Sequence, residues 1–452
     1  MSDIGFLIER FAAEPAQPAL IWRDETYSYG WLSDQVRKRI AELEENRIGP
    51  GTVAVLHSDY TPTTVAVFLA LIGVKAITAP LLPATLKQSP QIIDIVDPFV
   101  QIGVTDNEAV AYTRHNPKEP HELIRRLRQD GTSGLILFTS GSTGKPKGVV
   151  HDCSRLLRKF EKRRSALKTL NFLLFDHWGG LNTLLHGLSN NSSLVLPEDR
   201  TPEYICDLLE RHRVELLPAS PTFLNMLLLS QAYKNRDLSA LRLITYGSEL
   251  MLSSTLIGLR AAFPNVELRQ TYGLIELGVL RAKSQSSESL WVKVGGEGYD
   301  VRVVDGILQV KADSAMIGYL NAPSPFTDDG YFITGDRVEV DGEYMRFMGR
   351  DSELINVGGQ KVFPAEVETV LLECDEVEDA VVSGQRHPIT GMIVYAAVKL
   401  RELTDEGEAR IRIKQFCARR LDPYKVPVKI EFVENGLHSD RFKRLRPRSE
   451  ET

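Results

Sequence analysis

Cysteine is scarce in this chain: four in 452 residues, at Cys153, Cys206, Cys374 and Cys417, with no C-x-x-C pair. That usage gives neither a zinc site nor a disulfide framework, and buried free thiols are expected. Long apolar runs are missing too. The longest, near residues 65–74, falls short of the roughly 20 residues a bilayer span needs. The first residues, MSDIGFLIERF, lack the basic flank and apolar core of a secretory signal. There is no excess of positive charge: 54 Lys and Arg face 60 Asp and Glu, a net charge of −6. So mild a balance argues against a nucleic-acid partner held over a large surface. What is present is ordinary for a soluble globular protein, 43% apolar and 25% charged. At this length one core is not enough, and two or more domains are expected. A cytoplasmic enzyme fits these features.

The most informative stretch is residues 135–151, LILFTSGSTGKPKGVVH. Leu135 to Phe138 reads as a buried strand. The chain then breaks into a loop rich in hydroxyls (Thr139, Ser140, Ser142, Thr143), glycines (Gly141, Gly144, Gly148) and lysines (Lys145, Lys147). Backbone N–H groups, hydroxyls and ammonium groups on one short loop are what a polyphosphate needs. The loop is not a Walker P-loop: GxxxxGK[ST] is not matched, and Pro146 would break the helix such a loop opens.

Around it the pattern alternates strands and helices. A strand at 53–56, an apolar helix at 62–72 and a strand at 76–79 form a βαβ unit of a parallel sheet. Further strands are read at 172–176, 194–196, 216–218 and 241–246, with helices at 202–212 and 221–229. A helix at 154–167 carries Arg155, Arg158, Lys159, Lys162, Arg163 and Arg164. That run reads first as a solvated face, with docking of an acidic partner as the functional alternative. Residues after 350 read as a small strand–helix unit. The expected fold is α/β: a large N-terminal domain, 1–350, and a small mobile α+β domain, 351–452.

TSGSTGKPKGVVH closely resembles the phosphate-binding signature of the acyl-adenylate-forming superfamily, which includes acyl-CoA synthetases, peptide-synthetase adenylation domains and luciferases. Later stretches carry the resemblance along nearly the whole chain. Gly247-Ser248-Glu249 follows a strand at the place where the family lays backbone along the adenine and the acyl pocket. Thr271-Tyr272-Gly273-Leu274-Ile275-Glu276 is similar to YGxTE, which implies Tyr272 on the adenine and Glu276 on Mg²⁺. Ile275 stands where that motif has a hydroxyl. Thr334-Gly335-Asp336 matches the TGD whose carboxylate takes the ribose hydroxyls. Arg350 resembles the arginine that meets ribose or phosphate, Ser352 the hinge position, and Gly358-Gly359 the loop lining the thiol tunnel. His177 resembles the residue bordering the acyl pocket. Lys443 takes the place of the adenylating lysine, with Phe442 where a glycine is usual.

The resemblance implies an ATP- and Mg²⁺-dependent ligase. It would activate a small carboxylic acid as the acyl-adenylate, release pyrophosphate, and pass the acyl group to a thiol, with coenzyme A the first choice. A phosphopantetheine arm on an acyl carrier protein comes second and an amine third. A catalytically silent nucleotide-binding homologue is the alternative from another class, given Ile275 and Phe442. The acid and the oligomeric state are not legible.

Overall fold

The protein is described here by a computed structural model. It covers residues 3–140, 145–388, 390–402, 405–434, 437–439 and 444–445, with the backbone alone at Ser140.

Among the described residues, two seven-stranded sheets, one six-stranded sheet and a two-stranded hairpin lie in the large N-terminal domain. The first runs Glu267–Gln270, Leu243–Tyr246, Leu216–Ala219, Thr169–Leu170, Leu194–Val195, Pro18–Trp22 and Glu25–Ser28, parallel except for the last pair. The second runs Gly318–Tyr319, Pro146–Asp152, Gly134–Ser140, Ile77–Leu81, Val53–His57, Val100–Val104 and Val110–Arg114. Its parallel centre is the βαβ unit expected from the sequence. Helix Pro62–Gly73 begins with Thr61 accepting from the Thr64 amide and proline in its first turn. It is apolar on every side and sealed, because it lies in a core contributed by residues of both large sheets.

The six-stranded sheet is antiparallel and carries the long strands Phe332–Asp341 and Tyr344–Arg350 side by side. After it comes the small domain. Strands Val377–His387, Gly391–Leu400, Ile355–Val357, Gln360–Val362 and Lys429–Phe432 form one sheet. Helices Pro364–Leu372 and Glu406–Ala418 close a separate core around Val367, Leu371 and Ile413. Helix Pro364–Leu372 packs against helix Ser253–Ala262 of the large domain. All four cysteines are buried and free. Among the described residues no helix is long and apolar enough to cross a membrane.

Two expectations need correction. The basic helix ends at Glu161 instead of reaching 167. Continuing it would stack like charges at i, i+4, Arg158 on Lys162 and Lys159 on Arg163. The chain also has to turn to feed strand Thr169–Leu170, which Lys168 anchors by donating its amide to Glu215. Residues 172–176 are not a strand either. They form the turn that delivers His177, and Arg200 donates to the Phe172 carbonyl there.

Candidate active site

The site is built from turns at strand ends. Parallel strands Leu243–Tyr246 and Glu267–Gln270 end together, and both following turns carry expected residues. Thr271 donates its amide and its hydroxyl to the Tyr246 carbonyl, at 2.7 and 3.1 Å. A Cβ on Gly247 would lie 2.5 Å from the Thr271 hydroxyl, so only glycine lets these turns touch. Next to it Ser248 has φ +68°, a left-handed backbone. Gly273 then starts a tight hairpin with Val279, and Ile275 and Glu276 sit at its tip.

Tyr272 reaches from this turn to the six-stranded sheet. Its hydroxyl donates to Asp336 at 2.7 Å and its ring stacks on Phe347 at 4.6 Å. Asp336 faces Arg350 across the strand pair, with the guanidinium Nε 3.2 Å from the carboxylate. Thr334 shapes the bend before it by accepting from the Asp336 amide. Burial pushes the Asp336 carboxyl above the ordinary range, outweighing Arg350 and Tyr272, which favour the charged form. Burial, and then Asp336, push the Tyr272 phenol well above its ordinary value.

The loop expected to hold phosphates connects strands Gly134–Ser140 and Pro146–Asp152, with Thr139 paired to Lys147. Lys147 lies over the Tyr319 ring at 5.4 Å, and Tyr319 donates to Glu276 at 2.7 Å. One loop lysine and the expected Mg²⁺ carboxylate therefore share a tyrosine. Lys145 is exposed at the loop's edge. Gly141, Ser142, Thr143, Gly144 and the Ser140 side chain lie outside the described residues. Half-buried Glu276 makes no ion pair within 4 Å among the described residues. A single carboxylate of that kind, with phosphate oxygens beside it, suits a hard cation that keeps most of its ligands from substrate and water.

His177 caps helix Trp178–Ser189: its Nδ1 accepts the Gly179 amide at 3.1 Å. Trp178 follows, fully buried, with no partner for its indole N–H among the described residues.

Lys443 and Phe442 lie outside the described residues, but their neighbour does not. The Arg444 amide donates to Glu249 at 3.0 Å, and the other Glu249 oxygen accepts the Thr222 hydroxyl at 2.6 Å. Arg444 also donates to the Ala380 carbonyl, while Asp379 accepts from His438 at 2.5 Å. His438 and Arg444 bridge as an antiparallel pair.

Ser352 lies exposed in the short turn Asp351–Glu353. Gly358 and Gly359 form a two-residue hairpin turn with φ +57° and +91°, a pair that favours glycine. Gly359 borders an open groove of about 800 Å³ whose other lining residues include Asn356, Arg386, His387, Thr390 and Met392, all of the small domain.

Tyr319, His151 and Lys159 were not singled out in the sequence. His151 contacts the Ile275 carbonyl through Nε2 at 2.7 Å, and burial pulls its pKa down to about 4. Only for Lys159 was a signal present, since with Leu156 and Phe160 it falls on the apolar face of its helix.

A model of "AMP-binding enzyme" matches residues 7–320, and one of "AMP-binding enzyme C-terminal domain" matches residues 366–441. An indoleacetate–CoA ligase of Aromatoleum aromaticum is 26% identical over 492 residues, covering 96% of this chain and 94% of that protein. A 2-succinylbenzoate–CoA ligase of Bacillus subtilis is 27% identical, covering 98% and 96%. Among solved structures, an anthranilate CoA ligase in complex with anthranoyl-AMP superposes with TM-score 0.80 at 19% identity, covering 98% of this chain and 95% of that one. The o-succinylbenzoate CoA synthetase of Bacillus subtilis with its acyl-adenylate does so with TM-score 0.76 at 22% identity, covering 99% and 98%.

Proposed function

Because the chain belongs to the AMP-binding enzyme family, we propose that it joins a small carboxylic acid to coenzyme A through an acyl-adenylate. The observation that carries the residue assignment is the convergence of Tyr272, Asp336 and Arg350 in one bonded cluster, with Arg444 held at Glu249.

In this reading the acid's carboxylate attacks the α-phosphate of ATP, the bond to the bridging oxygen breaks, and pyrophosphate leaves. Tyr272 borders the adenine, Asp336 accepts from the ribose hydroxyls, and Arg350 favours the charged form of that carboxylate against its burial. Lys147 and the loop at 139–147 hold the β- and γ-phosphates. Glu276 would hold Mg²⁺, which when bound offsets charge between the phosphates. Lys443 meets charge developing at the α-phosphate. The contact of Arg444 with Glu249 fits an adenylating arrangement. The Gly358-Gly359 turn faces a groove of small-domain residues only, so thiol transfer calls for rotation of the domain beginning at 351 about Ser352. The exposed Arg155, Arg158, Lys162 and Arg163 give a carrier protein a surface to dock on, as the second acceptor.

Pyrophosphate release over a panel of acids tests the first half, and mass spectrometry with coenzyme A against holo-carrier protein tests the second. Release with some acid, and an acyl-CoA product, are expected. Tight ATP binding with no release for any acid would replace the ligase by a silent nucleotide-binding protein.

A further inference from the structure

Among the described residues, Lys159 is a cation without an anion. It sits on helix Cys153–Glu161, turned inward with Leu156 and Phe160. Its ammonium donates to Asn182 at 2.5 Å and to the Val279 carbonyl at 3.3 Å, and lies 5.5 Å from the centre of the Trp178 ring. Among the described residues no carboxylate comes within 4 Å of it. Burial, and then the like charge of Arg164, pull its pKa down to about 7. His186, one turn beyond Asn182, is pulled down to about 4 by burial, Arg164 and Lys159.

An ammonium has three donors, and two are used on neutral carbonyl oxygens. Enclosing such a group without a counter-charge is unfavourable unless something else brings one. Lys159, Asn182, His186, Ile275 and Val279 are half-buried, whereas Trp178, Leu181 and Leu185 beside them are sealed. The ammonium thus stands at the partly open junction of helix Cys153–Glu161, helix Trp178–Ser189 and the hairpin Gly273–Val279. That junction adjoins the hairpin tip that carries Glu276. Val279 is three residues from Glu276, no more than about 10 Å of chain. Trp178 directly follows His177, at the expected border of the acyl pocket. A short aliphatic chain or one aromatic ring spans such a distance.

We propose that Lys159 is the specificity-determining residue for the acid, and that the substrate is a short acid bearing a second carboxylate, distal to the reacting one, which pairs with Lys159 beside Asn182. This rests on the ligase reading and sharpens it. The paired carboxylate supplies the missing counter-charge, and an apolar acid of equal length leaves Lys159 unpaired in a closed site.

The test is ATP-dependent pyrophosphate release for aliphatic and benzene dicarboxylic acids, each against the monocarboxylic acid of equal length. The wild type should favour the diacids. The ratio of kcat/KM, diacid over monoacid, should fall by about 100-fold or more in Lys159→Met. Lys159→Arg should keep the preference, and Lys159→Glu should move it towards acids with a distal amine. The three ratios together read selectivity even where one variant folds poorly. Release with monoacids alone, or ratios unchanged in all three variants, overturns the assignment of Lys159 while leaving the ligase in place. No release from the wild type with any acid overturns both.

Discussion

The two ends of the candidate site differ in how their charges are settled. At the end expected to hold the nucleoside, Asp336 already has a charged partner within the chain, Arg350, beside the Tyr272 hydroxyl. On the side expected to take the acid, Glu276 and Lys159 have only neutral partners among the described residues, Tyr319 for one and Asn182 with Val279 for the other. The first arrangement is preorganised and costs little to occupy. The second holds charge in reserve for what the substrates bring. A site that binds one constant ligand and one reacting group is served by this division, because only interactions gained in the transition state speed the chemistry.

Four substitutions sharpen or break that contrast. The largest effect is expected at Lys443→Ala, which should slow adenylation by about 10²–10³-fold. Transfer to coenzyme A from a pre-formed acyl-adenylate should be spared, and separate assays of the two half-reactions check it. An equal loss in both would move the adenylating lysine elsewhere.

Asp379→Asn comes next. It leaves His438 and Arg444 without their carboxylate, and should cost about 3 kcal/mol in urea unfolding of the small domain. Burial raises the Asp379 pKa, but His438 and Arg444 outweigh it and the net shift is downward. Its stabilisation is therefore present at neutral pH and lost as pH falls through that lowered pKa. Wild-type and variant stabilities should converge in acid.

Asp336→Asn should weaken ATP binding by about tenfold in calorimetry, through loss of a charged acceptor for the ribose. In the wild type the raised Asp336 pKa means that affinity should begin to fall, on acidification, at a higher pH than for an ordinary aspartate. The smallest change is expected for Ile275→Thr: under tenfold in adenylation rate or in acid preference, with ATP affinity unaltered. A shift in ATP affinity instead would place residue 275 at the nucleoside end.

Much of the fold could be read before any coordinates. Strand 53–56, helix 62–72 and strand 76–79 recur as Val53–His57, Pro62–Gly73 and Ile77–Leu81, because cap, proline and periodicity all agree there. Strands Val100–Val104 and Val110–Arg114 were not foreseen, since the short polar segment around them carries weak patterning and gains its order by pairing at a sheet edge. For the site, Tyr272, Glu276, Asp336 and Arg350 were expected from the family resemblance of short motifs, and the structure brings Tyr272, Asp336 and Arg350 into one cluster.

By itself the sequence determined the family, the two-domain α/β plan and which residue types stand at each turn, since these depend on neighbours along the chain. Only the tertiary structure decided partners. Tyr272 meets Asp336 across 64 positions and Arg444 meets Glu249 across 195. Lys159, one basic residue among many in a row, became the enclosed one because its side of the helix faces Asn182 and Trp178. Packing sets which charge loses water, and packing is not written in any one segment.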